Sequence, residues 1–222
     1  AGADIVGTSY QGVRVTPVID ELARAGLKID GAWSHNGFTA QSRSHILSGS
    51  LVDARQGTSI LDDFKRQGYE IAYFSEQDDA FGPTHIDYSV ADTYYDARRD
   101  PDNRYTQYTT PGSLAVPARV LETKIRDFLD ARQSHAPLFL YVNFHDTHYP
   151  YVHKDIDNLL NVEYLAPRLI APQKREALWA TYLNTAANVD RGIGRVLSAV
   201  QMQTQQRPAV VIVSDHGESL FE

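Results

Sequence analysis

Two neighbouring residues near the end of the sequence, Asp215 and His216, have side chains that could bind a metal ion together. They follow an apolar run, residues 209–213, whose β-branched side chains predict a strand buried on both faces, as in a parallel sheet. Open α/β sheets bind ligands outside the carboxyl ends of their strands. Because carboxylate oxygen and imidazole nitrogen suit zinc or manganese, the pair predicts a metal site there. The alternative from the residues alone is a polar turn with a capping aspartate.

A loop rich in hydroxyl groups, residues 35–49, contains Thr39 and Ser42. We predict that this loop passes into a short helix from about Ser42 and that Gly49 ends the helix. The hydroxyl groups and the helix N-terminus together could hold an anion. Hydroxyl side chains that only cap a helix are far commoner than nucleophilic ones, so this loop by itself leaves both roles open.

Histidines follow a second predicted buried strand, residues 138–144. His145 and His148 lie in the sequence His-Asp-Thr-His-Tyr-Pro-Tyr directly after it. Polar groups that can bind a metal or an anion therefore appear again where a strand ends. We expect a hydroxyl, a histidine and an Asp–His pair to converge on one edge of a sheet.

The other elements alternate between helix and strand, which is typical of an α/β fold with a parallel sheet. Apolar periodicity, capping residues and glycines mark their ends. Residues 76–112, rich in aspartate and tyrosine, are predicted as a polar excursion over the strand ends. We predict helices at residues 17–26, 58–67, 116–132 and 173–201, and further strands at residues 27–33 and 68–75.

Size and composition exclude several classes of protein. The chain has 222 residues, 42% of them hydrophobic, which is enough for one domain with a sizeable core. Its formal net charge of −7 and the lack of a basic run give no support to a nucleic-acid partner. Since it contains no cysteine, disulfides, thiolate ligands and a cysteine nucleophile are excluded. No apolar stretch approaches the ~20 residues that span a bilayer.

Taken in order, the motifs resemble the sulfatase-like branch of the alkaline phosphatase superfamily. Residues 214–218, Ser-Asp-His-Gly-Glu, are similar to its metal motif, and residues 148–151 to its His-x-Pro-Tyr turn. Residues 39–43 are similar to its nucleophile-x-Pro-Ser-Arg pattern, with glutamine where proline is usual. The resemblance implies an α/β fold, a three-layer α/β/α sandwich with a mostly parallel central sheet.

The resemblance also implies roles for individual residues. Thr39 is expected to be the nucleophile and to belong to the metal site, and Arg43 to steady the nucleophile or a phosphoryl oxygen. His148 is expected to assist the leaving group, and Asp215 and His216 to hold the metal. Two further candidates, for substrate binding, are His145 and Asn36.

The residue type at position 39 separates the reactions known in this branch. Sulfatases need cysteine or serine there for conversion to formylglycine, and threonine cannot be converted. Threonine at the nucleophile position resembles the pattern of the phosphoethanolamine and phosphoglycerol transferases and of the nucleotide pyrophosphatase/phosphodiesterases. We therefore predict a metal-dependent phosphotransferase or phosphodiesterase with a covalent phospho-enzyme intermediate. The alternatives are a sulfuric-ester hydrolase, with Ser42 as nucleophile in a shifted register, and a non-catalytic binding protein.

The same resemblance implies a divalent cation, with zinc or manganese favoured and calcium or magnesium on the sulfatase side. The expected partner is a phosphate- or sulfate-ester substrate, with a lipid head group or a glycan among the candidates. The resemblance also implies an extracytoplasmic location, periplasmic or cell-surface, and it is compatible with a membrane tether outside this segment. We expect residues 1–222 to form a single sulfatase-like catalytic domain, incomplete at both ends, with the family's first metal-binding acid and a downstream histidine outside it.

Overall fold

A computed structural model describes residues 2–51, 59–81, 86–106, 114–151, 153 and 155–221. The chain divides into two compact units, which we call the helical unit (Ala1–Trp33 and Asp146–Glu222) and the sheet unit (Ser34–His145). Residue 58 of the predicted helix 58–67 lies outside the described residues, as do residues 82–85 and 107–112 of the predicted excursion. The single domain over residues 1–222 stays a prediction.

Helices and short strands alternate along the described chain. The α-helices are α1 (Pro17–Ala25), α2 (Thr39–Ser48), α3 (Ile60–Arg66), α4 (Ala118–Ala131) and α5 (Arg175–Thr204). The strands are β1 (Ser9–Tyr10), β2 (Val13–Arg14), β3 (Glu70–Ser75), β4 (Thr93–Tyr95), β5 (Tyr105–Thr106), β6 (Leu114–Ala115) and β7 (Leu138–Asn143). Short 3-10 helices cover Ala3–Ile5, Tyr88–Val90, Ala97–Arg99, Pro167–Leu169 and Pro172–Lys174.

The sheet unit is built on a parallel three-stranded sheet with the order β4-β3-β7. The central strand β3 is buried on both faces, as expected where helices cover both sides of a parallel sheet. On one face, Leu47 of α2 and Leu61 of α3 join Ile71 of β3 in a hydrophobic cluster. On the other face, the ring of Phe74 lies 5.6 Å from the ring of Phe128 on α4. The α/β fold class with a mostly parallel sheet is therefore confirmed.

One strand of this sheet lies in a region that the sequence predicted as a polar excursion. Residues Thr93–Tyr95 form β4, which pairs in parallel with β3 so that Tyr94 stands beside Tyr73. Three residues are too few for a visible alternation of apolar and polar side chains. The strand exists because β3 offers it an edge, and local sequence carries little sign of that.

The helical unit is organised by α5, a helix of 30 residues. A carboxylate on α5, Asp190, accepts hydrogen bonds from the first-turn N–H groups of Val18 (3.0 Å) and Ile19 (2.8 Å) on α1. These N–H groups have no partner within their own helix. Thr16, at the N-cap position, makes no such bond with its side chain, so Asp190 caps α1 instead. A Cβ atom at Gly194 would lie 3.0 Å from Val18, which explains how α1 and α5 can approach so closely.

The predicted strand at residues 27–33 is wrong. These residues have no strand structure, and their apolar side chains are exposed, with Trp33 at 92%. Gly31 adopts a φ of 74°, which interrupts an extended chain. No other described segment pairs with these residues, so the ladder hydrogen bonds that would make them a strand are missing from the described chain.

The predicted buried strand at residues 209–213 is also wrong. The segment follows α5 without regular structure, and its side chains are exposed, with Val211 at 91%. A strand buried on both faces requires neighbouring strands and a layer on each side. Among the described residues no strand pairs with this run. Asp215 and His216 consequently do not follow a strand in this structure.

The other predicted elements are confirmed with shifts of a few residues at their ends. Helix α2 begins at Thr39 rather than near Ser42, after Phe38 in extended conformation. Gly49 ends this helix with a left-handed φ of 63°, as its residue type suggested. Across the described ranges, no helix is both long and apolar enough to cross a membrane.

Candidate functional site

Thr39 is the first residue of α2, and its side chain is half-buried. The loop before it is held by Asn36, whose side-chain oxygen accepts a hydrogen bond from the N–H of Phe38 at 3.2 Å. N–H groups in the first turn of a helix point outward and favour negative charge. A hydroxyl in this position is therefore next to groups that could stabilise an anion.

Ser42 lies on the same helix but is only 3% exposed. Its hydroxyl donates a hydrogen bond of 2.7 Å to the carbonyl oxygen of Asn36. The bond ties the loop to the second turn of α2, and it engages the proton that a nucleophilic serine would have to lose. Of the two hydroxyls that the sequence offers, Thr39 is the more accessible.

Arg43, one helical turn after Thr39, forms a buried ion pair with Asp79. The two side chains are 2% and 0% exposed. Arg43 donates one hydrogen bond from Nη1 to the Asp79 carboxylate and another, of 3.2 Å, from Nη2 to the Asp79 carbonyl oxygen. Its Nε has no hydrogen-bond partner among the described residues. Asp79, which follows β3 in the chain, carried no sequence signal that would have linked it to Arg43.

Aromatic residues surround this ion pair. The hydroxyl of Tyr73 donates to the Asp79 carboxylate at 2.7 Å, and the Arg43 guanidinium lies 5.6 Å from the ring of Phe81. Burial, and then the charge of Asp79, raise the pKa of Tyr73 well above its ordinary value, so its hydroxyl stays a donor. Burial raises the pKa of Asp79 to about 6 against the opposing effect of Arg43. The carboxylate is therefore ionised at neutral pH and paired with the guanidinium.

His145 ends the sheet unit two residues after β7 and is buried. Its backbone N–H donates a hydrogen bond to the carboxylate of Glu76, which is itself buried at the end of β3. The carboxyl ends of two neighbouring parallel strands are thus linked through this pair. As a candidate for substrate binding, His145 is placed at a strand end, where the sequence predicted it.

His148 lies in the helical unit, in the turn that precedes the cis peptide bond between Tyr149 and Pro150. Its Nδ1 is 2.7 Å from the carbonyl oxygen of Tyr149. Because a carbonyl can only accept, Nδ1 must carry the proton in that bond. The neutral ring then has its lone pair at Nε2, which is the nitrogen that could take or give a proton in a reaction.

A second histidine of this turn, His153, has a structural environment that the sequence did not reveal. Its Nε2 lies 2.9 Å from the carboxylate of Asp146, and both side chains are buried. The backbone N–H of Asp155 donates to its Nδ1 at 3.2 Å, so Nε2 is the protonated nitrogen and donates to Asp146. The pair closes the turn that carries His148.

Asp215 and His216 lie together on the segment after α5 and are half-buried. His216 Nε2 is 3.4 Å from the Asp215 carboxylate. His216 Nδ1 is 2.8 Å from the carbonyl oxygen of Gly217, which again assigns the proton to Nδ1. Nitrogen and oxygen donors suitable for a divalent cation therefore face each other. A hydrogen bond at the distal ring nitrogen is the usual support of a metal-binding histidine.

The oxygen and nitrogen donors of this pair could supply two ligands to a divalent cation. Within the described parts of the chain, no group of three or more histidine, aspartate or glutamate residues is arranged to hold a metal. A catalytic centre normally supplies at least three protein ligands.

Two contacts at the far end of this segment fix it to the helical unit. The hydroxyl of Tyr151 donates to the carboxylate of Glu218 at 2.9 Å. Leu220 is buried in the cluster that includes Tyr151, Tyr182 and Leu183. The sequence had linked residues 148–151 and 214–218 only through motif resemblance. The structure joins them by a hydrogen bond.

The candidate residues fall into two groups, each within one unit. In the helical unit, the structure brings Asp215 and His216 together, and Tyr151 of the His148 turn holds the same segment. In the sheet unit, Thr39 and Arg43 share one face of α2, and His145 follows β7.

The fold is that of the alkaline phosphatase superfamily. Structures similar to it include a protein of that superfamily from Vibrio parahaemolyticus, with a TM-score of 0.60 and 18% identity over 90% of this chain and 48% of that chain. LtaP, a lipoteichoic acid synthase from Listeria monocytogenes, gives a TM-score of 0.66 and 13% identity over 90% and 49%. A Bacteroides thetaiotaomicron sulfatase from a locus for the metabolism of multiple glycosaminoglycans gives 0.60 and 20% over 92% and 54%.

The sulfatase family model matches residues 1–222, and the chain belongs to this family. The chain spans about half the length of the similar structures. No curated protein matches it in sequence.

Proposed function

We propose that this chain is part of a metal-dependent phosphotransferase or phosphodiesterase that uses Thr39 as its nucleophile. The observation that supports this proposal most is the difference between the two candidate nucleophiles on α2, Thr39 and Ser42. Thr39 is half-buried at the helix N-terminus, whereas Ser42 is buried and donates to the Asn36 carbonyl. The accessible hydroxyl is thus the one that resembles the nucleophile of phosphate-transferring relatives.

The proposed reaction has two steps. The Thr39 hydroxyl loses its proton to solvent, its oxygen forms a bond to phosphorus, and the bond from phosphorus to the leaving alcohol breaks. His148, protonated at Nε2, gives that alcohol its proton. Water or an acceptor alcohol then attacks the phosphothreonine and gives its proton back to Nε2 of His148, and the threonine oxygen departs and takes up a proton from solvent. The N–H groups at the start of α2 favour the negative charge that develops near Thr39.

Asp215 and His216 would hold a divalent cation, with zinc or manganese favoured over calcium or magnesium. Such a cation supplies charge neutralisation at the non-bridging oxygens and lowers the pKa of the attacking hydroxyl. Asn36 and His145 are proposed to contact the substrate. Arg43 is proposed to support the nucleophile from its buried position.

The proposed substrate is a phosphate ester, with a lipid head group or a glycan as the candidate donor or acceptor. The similarity in fold to a lipoteichoic acid synthase is compatible with this choice. An extracytoplasmic location, periplasmic or cell-surface, belongs to the same proposal, as does a membrane tether outside this segment.

Sulfate-ester hydrolysis is the second candidate. A sulfatase is among the similar structures, and Ser42 with Arg43 resembles the sulfatase pattern. This candidate requires a nucleophile other than Thr39, because threonine cannot become formylglycine. The two candidates therefore differ in what removal of the Thr39 hydroxyl does.

The experiment measures cleavage of bis(p-nitrophenyl) phosphate and of p-nitrophenyl sulfate by the full-length protein, with and without EDTA. We expect chelator-sensitive cleavage of the diester, and a loss of about 10³-fold or more in kcat in Thr39→Ala. Acid quenching during turnover should yield a Thr39 peptide that carries a phosphoryl group in mass spectrometry. Thr204→Ala, which removes another half-buried helical threonine, should keep full activity.

Two results would contradict this proposal. Cleavage of the sulfate ester that survives Thr39→Ala would make the protein a sulfatase and return attention to Ser42. Absence of activity on both esters, together with absence of bound metal in the purified protein, would favour a non-catalytic binding protein.

A further inference from the structure

The N-terminal half of α2 is held in place mainly by polar contacts. The apolar side chains that α2 buries are Ala40 and, near its other end, Leu47. Phe38, at the N-cap, makes no side-chain capping bond. A helix start without a cap and with one buried methyl group has little apolar burial to fix its position. Another contact must therefore hold the turn that begins at Thr39.

The strongest contact in this part of the helix is the ion pair between Arg43 and Asp79. Two donors of the guanidinium bind two different oxygens of Asp79, one in its side chain and one in its backbone. Such a two-point contact fixes direction as well as distance, which a single hydrogen bond does not. Since Thr39 and Arg43 are four residues apart on a helix, their α-carbons are ~6 Å apart along a rigid element.

Asp79 is itself rigidly placed at the end of the central strand. Its carboxylate also accepts a hydrogen bond from the hydroxyl of Tyr73 on β3, and Tyr73 is stacked between Tyr94 and Tyr141 on the neighbouring strands. The next residue back, Asp78, donates its N–H to the carbonyl of Leu114. The position of Asp79 is thus defined by the sheet.

Burial of both charges argues for a role in position rather than in stability. Removing two charges from water is costly, and a buried ion pair often gains no more than apolar residues of the same volume would. Direct contact of Arg43 with a substrate is also disfavoured, because its side chain is 2% exposed and two of its nitrogens are engaged by Asp79.

We infer that Asp79 is a positioning residue, which acts through Arg43 to set the place and direction of the first turn of α2 and hence of the Thr39 hydroxyl. This inference rests on the proposed function of Thr39. It gives Arg43 the role of supporting the helix. It also adds Asp79, 40 positions after Thr39 in the chain, to the residues on which the proposed reaction depends. An error of about 1 Å in the position of a reacting group can cost about 100-fold in rate.

The test compares Asp79→Asn with Glu70→Gln in the full-length protein. Glu70 also forms an ion pair on β3, with Arg132 at 2.6 Å and with both side chains more than four-fifths buried, but the pair does not involve α2. For Asp79→Asn we expect kcat on bis(p-nitrophenyl) phosphate to fall roughly 100-fold with KM changed little. For Glu70→Gln we expect kcat within about twofold of wild type at a temperature below both melting transitions. Asp79→Glu, which keeps the charge, should recover part of kcat.

A second readout tests the anchoring without any assay of activity. Amide hydrogen exchange of residues 39–43 should rise in Asp79→Asn and stay unchanged in Glu70→Gln, because only the first variant releases the start of α2. If Asp79→Asn does not fold, Arg43→Lys takes its place, since lysine keeps the charge and lacks the planar two-point fork.

The outcomes separate this inference from the proposed function. Equal kcat values and equal exchange in Asp79→Asn and Glu70→Gln would overturn the positioning role while leaving Thr39 as nucleophile. Activity that persists in Thr39→Ala would overturn the proposed function. Faster exchange at residues 39–43 in Asp79→Asn would in that case still support the anchoring of α2 by Asp79.

Discussion

The two regions that carry the candidate chemistry differ in how firmly their residues are held. Thr39 and Arg43 lie on a helix that is fixed by a buried ion pair, by a bond between Ser42 and the loop, and by Leu47 in the hydrophobic cluster. Asp215 and His216 lie on a segment without regular structure. Two contacts that hold this segment, through Glu218 and Leu220, come after the pair.

This difference indicates two ways of preparing a group for reaction. A nucleophile must point at its target before the target arrives, so a rigid element and buried contacts are suited to it. Metal ligands can be organised in part by the metal, because binding free energy is available to order them. We therefore expect substitutions in the first region to alter stability and rate together. Substitutions at the metal pair should alter metal binding and rate alone.

The largest effect is expected when the metal pair is removed. Asp215→Asn and His216→Ala should each lower the rate of diester cleavage by about 10⁴-fold, the several kcal/mol of charge stabilisation that a metal supplies. The free energy of unfolding without metal should change by less than about 0.5 kcal/mol, because the side chains are partly exposed and lie outside the core. Metal content by mass spectrometry, kinetics and urea unfolding in EDTA measure the three quantities.

His135→Gln serves as the control, since it removes an exposed histidine from the sheet unit. It should leave metal content and rate as in wild type. A loss of several kcal/mol of stability in Asp215→Asn without metal would contradict the comparison, since it would mean that the pair is structural.

A smaller effect, on stability, is expected from Arg43→Met. Removal of one partner of a buried ion pair leaves the other charge uncompensated and costs about 3–5 kcal/mol. Arg66→Met, which breaks an exposed ion pair with Asp63, should cost less than about 1 kcal/mol. Urea unfolding measures the loss of unfolding free energy in both variants. Equal losses would show that burial of the ion pair of Arg43 does not affect stability.

The loss in Arg43→Met should also depend on pH. Burial already raises the pKa of Asp79 to about 6, and removal of the Arg43 charge, which lowers it, will raise it further. A folded-state pKa above the ordinary value of 3.8 means that the folded protein binds the proton more tightly, so stability falls as pH rises through that pKa. The variant should therefore be destabilised more at pH 8 than at pH 5. If the variant lost the same free energy of unfolding relative to wild type at pH 5 and at pH 8, the role of Asp79 would be contradicted.

Local sequence patterns predicted what local forces decide. Helices α1, α4 and α5 have amphipathic periodicity or end signals within their own residues, and β3 and β7 are apolar runs of ordinary strand length. The sequence placed Arg43 on a helix but left Thr39 in the loop before it, whereas both residues lie on α2. The class of fold followed from the alternation of these elements.

Features that depend on a distant partner were missed or predicted wrongly. The strand β4 depends on the edge of β3, Arg43 depends on a carboxylate 36 residues away, and His153 depends on Asp146 across a turn. Residues 209–213 have the composition of a buried strand, but composition does not supply the neighbours that a strand requires. The sequence could name the candidate residues, and it could not show how firmly each is held.

The smallest effect is expected at the bond that holds the metal segment to the helical unit. Tyr151→Phe removes the donor to Glu218 and keeps the ring, so the global cost should be about 1 kcal/mol. Because Glu218 lies three residues from Asp215, amide exchange at residues 215–219 should rise and metal affinity should fall severalfold. Tyr164→Phe breaks a comparable single bond, from Asn184 at 3.0 Å in the same unit, and should leave exchange at residues 215–219 unchanged. Equal exchange in the two variants would contradict this prediction, because it would mean that the bond from Tyr151 to Glu218 does not hold the metal segment.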